Sequence, residues 1–192
     1  MKNIFNYIVV GIVILLTVSS CSRKKDRFLN RSWHSVNTKY NVLFNGNVAL
    51  ESGKTAVIAA YKDNYWEILP VERLQITDDI VSSDKAKNPS IELAEVKAVK
   101  AIQKHGMNIK GKEKNPQIDE AYMLLGKARY FDNRFIPAQE AFNYILFKYP
   151  ASSNINLAKI WRAKTNLRLQ NEDVAIKDLK KLIELEDLSK YD

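Results

Sequence analysis

The apolar positions of this chain fall into two patterns. Ile8 to Val18 is an uncharged apolar stretch of eleven residues behind a start whose only charged side chain is Lys2, short of the roughly 20 residues a helix needs to cross a bilayer. Beyond Arg31 the apolar residues recur at steps of three and four, the period of an amphipathic helix. Trp33, Val36, Tyr40, Leu43, Phe44, Val48 and Leu50 mark a first helix within Ser32 to Glu51, and Lys54 to Leu69 resumes the pattern until Pro70. With Ser52-Gly53 read as the break, these two segments predict an antiparallel hairpin. Residues 71–90 are mixed and read as a connection. Ile91 to His105 is again periodic, opened by Pro89-Ser90 and closed by Gly106. A basic loop, "GMNIKGKEKNP", leads to Asn115-Pro116 and a further helical stretch. The expected class is all-α, built from antiparallel helical hairpins.

Composition agrees. At 192 residues, 46% hydrophobic and 27% charged, the chain can bury a sizeable core, and six Gly and five Pro are few for a turn-rich β-sandwich. The net charge of +8 is unevenly spread. Arg23, Lys24, Lys25, Arg27, Arg31 and Lys39 face only Asp26 between Ser22 and Tyr40, and a second lysine-rich stretch runs from Lys85 to Lys114. Local clusters of this kind suit anionic head groups or an acidic partner better than a continuous nucleic-acid track.

The single cysteine, Cys21, sits where the apolar run meets the first basic cluster. A short apolar core behind a basic start is the pattern of a secretory signal peptide. Val18-Ser19-Ser20-Cys21 resembles the bacterial lipobox, in which the sulfur is acylated and the chain is cut between Ser20 and Cys21. The resemblance implies a diacylglycerol and fatty-acyl anchor on Cys21, and two or more chains are what stable anchoring requires. The expected organisation is therefore residues 1–20 as signal peptide, 21–31 as a lipidated basic tether, 32–112 as a helical hairpin or degenerate repeat, and 113–192 as repeats that continue in a longer protein.

Ile118 to Pro150 resembles the tetratricopeptide repeat (TPR), whose period is about 34 residues. Tyr122, Leu125, Gly126, Ala138, Phe142, Ile145 and Pro150 occupy its packing positions, while Arg129 stands where that repeat usually has Tyr. Gly126 would admit the second helix closely, with Ala138 as its small counterpart. A degenerate copy over 155–188 places Ala163, Ala175, Leu179 and Leu182 at equivalent sites, with the longer period absorbed by "ASSNI". The resemblance implies a stacked α-solenoid and a partner groove lined by Glu120, Met123, Lys127 and Tyr130.

Catalytic patterns are wanting in the sequence. Gly106 and Gly111 follow a helix and form no phosphate loop, and neither G-x-S-x-G nor H-E-x-x-H occurs. His34 and His105 are distant in sequence and read as a helix-face residue and a last-turn residue that complements the helix dipole. Asp78-Asp79 reads as a cap or solvated turn. The expectation is a non-enzymatic protein without metal or cofactor beyond its lipid.

Taken with "RFLNRSWHSVNTKYNVLFNGNVALESG" and "YKDNYWEILPVERL", these features are similar to the SprE/PorW group of TPR lipoproteins of the Bacteroidetes. That resemblance implies a scaffold of type IX secretion and gliding motility, anchored on the periplasmic side of the outer membrane. Its implied partners are the outer-membrane translocon and the periplasmic ring components, with no nucleic acid. A substrate-binding lipoprotein of an outer-membrane nutrient-uptake system is the alternative.

Overall fold

The structure is a computed structural model that describes residues 22–74 and 88–184. The expected signal peptide, Cys21, Asp78-Asp79 and the last residues of the second repeat copy lie outside the described residues. The described chain is mainly helical, and helices adjacent in sequence pack against one another.

Helix α1 (Phe28–Asn37) passes through a π-helical turn (Thr38–Leu43) into α2 (Phe44–Ala60) without a break. The rod starts four residues before the expected helix, which shortens the tether. The expected hairpin break at Ser52-Gly53 is absent. Gly53 lies inside α2, where a Cβ would come within 2.5 Å of Ile91 Cγ1. The glycine there serves a close helix crossing and marks no turn. The partner of the rod is α3 (Pro89–Lys100), which continues as a second π turn (Ala101–His105). Asn88 caps it by accepting hydrogen bonds from the amides of Ser90 (2.9 Å) and Ile91 (3.4 Å), with Glu92 in the first turn and Lys97 and Lys100 in the last. Residues 61–74 are not helical, contrary to the periodicity up to Leu69.

The basic loop folds into a two-stranded ribbon, β1 (Asn108–Ile109) against β2 (Lys112–Glu113). Its tip, Lys110-Gly111, takes positive φ at both residues, which suits a tight hairpin turn. Glu113 fixes the exit by accepting from the amides of Met107 (2.7 Å), Lys114 (3.0 Å) and Asn115 (2.9 Å).

Helices α4 (Ile118–Phe131), α5 (Phe135–Lys148), α6 (Ile155–Arg168) and α7 (Glu172–Ile183) follow. Both helix starts and the first helix end of the second pair are displaced by 37 residues from those of the first, while α7 ends at Ile183, two residues short of that shift. The same shift maps the connecting hydrogen bonds. Asn133 and Arg134 donate to the carbonyls of Tyr130 and Arg129, and Gln170 and Asn171 to those of Leu167 and Asn166. Asn133 and Gln170 both have φ near 61°. The two hairpins are one backbone design used twice, and the six-residue link 149–154 holds the extra length expected near "ASSNI".

Of the expected packing positions, Leu125 and Gly126 are buried and Pro150 is exposed. Gly126 lies flat against the Phe142 ring, leaving no room for a Cβ. Ala138, Phe142 and Ile145 are fully buried, as are Ala163 and Ala175 in the second hairpin. Tyr122 is half-buried and stacks on Tyr144 with centroids 4.3 Å apart. Arg129, the departure from the repeat, turns sideways to Glu95 of α3 (2.8 Å) and the Pro137 carbonyl (3.1 Å). Glu95 also receives Arg134, which bonds Asp132 at 2.7 Å, so a charged cluster ties α3 to the first repeat turn.

Candidate functional site

Helix α4 carries Glu120, Met123, Lys127 and Tyr130, the residues implied to line a partner groove. The structure does not leave them open. Met123 and Tyr130 are buried, and Glu120 and Lys127 are only partly exposed. Helix α2 approaches Lys127 through Glu51 and Lys54, α6 offers the Trp161 ring 5.3 Å from its ammonium, and burial pulls the Lys127 pKa down. Glu120 is raised, by burial first and then by Asp119.

The chain itself fills the place beside Tyr130. Glu72, from the non-helical stretch 61–74, accepts a hydrogen bond from the Tyr130 hydroxyl at 2.5 Å. Lys164 (3.0 Å) and Arg168 (2.9 Å), one helical turn apart on α6, clamp the same carboxylate. Arg168 also donates to the Tyr130 oxygen at 3.1 Å. The Lys164 ammonium stands 4.3 Å over Trp161 and 5.3 Å over Tyr130. Burial works to raise the Glu72 pKa, but hydrogen bonds from Tyr130, Arg168 and Lys164 outweigh it and hold the carboxyl below its usual range. Burial pushes the Tyr130 phenol up. A carboxylate held ionised by two cations and a phenol is suited to clamping a segment in place, and poorly suited to taking a proton at neutral pH. Close by, Leu74 is buried, whereas Tyr65, Trp66, Ile68 and Val71 of the same stretch project into solvent.

Sequence reasoning missed this cluster. Lys164 and Arg168 share a helix face by spacing, but Glu72 reaches them over more than ninety residues, and no local pattern announces that contact.

The histidines are also not the separate residues they look like in sequence. His34 and His105 meet with their Nδ1 atoms 3.2 Å apart and their rings edge to face. Beneath them, buried Asn115 donates to Thr38 Oγ (2.9 Å) and to the His105 carbonyl (3.0 Å), so both π turns are stitched at one level. Two clefts of about 500 and 360 Å³ flank the ribbon, the first edged by Asp119, Lys148 and Ser152, the second by Arg23, Lys24 and Tyr122.

Among the described residues no group of three or more His, Cys, Asp or Glu could hold a metal ion, and no helix is long and apolar enough to cross a membrane. No protein-family model matches the sequence, and the search of curated proteins finds no match.

Proposed function

We propose that this chain is a lipid-anchored scaffold of protein export, a TPR-type array held at the periplasmic face of the outer membrane by an acylated Cys21. The observation that carries the reading is the pair of hairpins repeated with a 37-residue shift, which keeps a small residue at each crossing, Gly126 and then Ala163. Such arrays present surface to other proteins, and each unit leaves its outer face for a neighbour. The lipobox-like Val18-Ser19-Ser20-Cys21 supports the anchor, and confinement at a membrane raises effective concentration toward partners there. The assignment to type IX secretion and gliding motility rests on the likeness to the SprE/PorW group, because a helical array by itself does not define a function.

The groove reading changes in one respect. In this conformation Glu72 occupies the side of α4 where a partner was expected. The exposed residues of 65–71 are then the better surface for contact.

Mass spectrometry of the N-terminal peptide tests the anchor, and a free thiol on a chain that retains Met1 would remove it. Mild crosslinking in cells and recovery of the protein tests the role. The outer-membrane translocon and periplasmic ring components are the expected companions. Deletion should abolish secretion of many proteins at once; loss of growth on a single polysaccharide would point to nutrient uptake.

A further inference from the structure

The first helix is built inside out. Its buried line is polar: Asn30, His34 and Thr38 follow at steps of four and are at most 5% exposed. Its outward line is apolar, with Leu29 at 68%, Trp33 at 51%, Val36 at 54% and Tyr40 at 69% exposure, and Phe28 at 72% beside it. Steps of three and four keep these residues on one face. An isolated exposed Leu is ordinary, but a stripe of large side chains opposite a buried polar seam is an interaction surface.

The charge around the stripe points to its occupant. Arg23, Lys24, Lys25 and Arg27 directly precede the helix and are exposed, and Lys39 borders the stripe with its ammonium 5.5 Å over the Tyr40 ring. Asp26, the acidic residue among them, is already paired with Arg31 and Lys114. An apolar face with aromatic residues and a basic approach is the composition of a helix lying in a membrane interface. Position adds a second constraint. Only six residues separate Cys21 from Phe28, and at about 3.5 Å per residue they keep the helix within roughly 25 Å of wherever Cys21 is held.

We infer that α1 and the start of the π turn that follows it lie along an anionic bilayer surface, with Leu29, Trp33, Val36 and Tyr40 dipped among the head groups and Lys24, Lys25, Arg27 and Lys39 on the phosphates. The inference builds on the anchor proposed above, yet α1 would bind lipid even if Cys21 were not acylated. On this arrangement the lipid sets the location and α1 sets the orientation, fixing which side of the array faces away from the membrane.

The full chain, isolated from cell membranes and reconstituted into phosphatidylethanolamine–phosphatidylglycerol vesicles with shallow brominated lipids, provides the test. Trp33 fluorescence should be quenched, and Trp33→Phe should remove most of that quenching. Val36→Asp should weaken the lipid contact about tenfold or more, because one large apolar side chain is withdrawn. Both positions are exposed, so thermal unfolding should not move. Carbonate extraction and N-terminal mass report on the anchor separately. A chain that stays membrane-bound while iodide in the water quenches the part of the emission that Trp33→Phe removes, as distinct from that of exposed Trp66, overturns the inference and leaves the anchor intact. A chain unmodified at Cys21 whose Trp33 is still quenched by lipid supports the inference and sinks the anchor. Trp33 shielded from both quenchers in a particle of twice the mass would assign the stripe to a second copy and overturn it.

Discussion

His34 and His105 face each other through their Nδ1 atoms at 3.2 Å, seventy-one residues apart in the chain. At that distance one nitrogen must donate and the other accept, so the pair does not accommodate two protonated rings. His105 is held below the ordinary imidazole range, first by burial, then by His34 and Lys100. Its folded-state pKa therefore lies below the unfolded value of 6.5. Below pH 6.5 the unfolded chain takes up a proton that the folded chain refuses, and stability falls until the folded pKa is passed. Urea midpoints should decline on going from about pH 7.5 to about pH 5.5, and His105→Gln should flatten that slope.

Gly126→Ala places a methyl group against the fully buried Phe142 ring. The helix gains up to about 1 kcal/mol of propensity. Overpacking costs about 1–3 kcal/mol, and the ring has nowhere to go, so the cost prevails. A calorimetric Tm several degrees lower is expected, and an unchanged or higher Tm would show that α4 and α5 can slide apart freely.

Glu72→Ala should release the 61–74 stretch. Hydrogen bonds to a charged group contribute about 1.5–3 kcal/mol, less here because the site is partly open. Limited proteolysis near Trp66 should accelerate while α4 to α7 keep their helical circular dichroism. Acid should act alike. The Glu72 pKa is lowered below its unfolded 4.5, so its contribution is complete above that value and is lost as pH falls through the folded pKa.

Asn88→Ala removes the side chain that accepts from Ser90 and Ile91 at the start of α3. A cost of about 1 kcal/mol is expected, with faster amide exchange at Ser90 and Ile91 as the local signature.

Legibility in the sequence followed contact range. The hairpin 118–150 was readable because its packing residues lie within one repeat, so Gly126, Ala138 and Phe142 report on each other at fixed spacings. Two features hide the rod from Phe28 to Ala60 in the sequence. Gly53 reads as a breaker, although it answers to Ile91 on another helix, and the apolar stripe of α1 faces solvent. Periodicity reveals that a helix has two faces but not which one meets the core. The Glu72 clamp and the histidine pair depend on tertiary encounters that leave no local trace.

The π turn at Thr38–Leu43 joins stretches of one rod that meet the core differently, a polar seam that ends on its first residue, Thr38, and Gly46, Ala49 and Leu50 after it. A widened turn carries a surplus residue, and each residue of a helix is worth about 100° of rotation. The surplus acts as a phase shifter between otherwise rigid lengths. Shortening it by one residue would swivel everything upstream by more than a quarter revolution, pointing Trp33 and its neighbours somewhere new while every downstream contact stayed put.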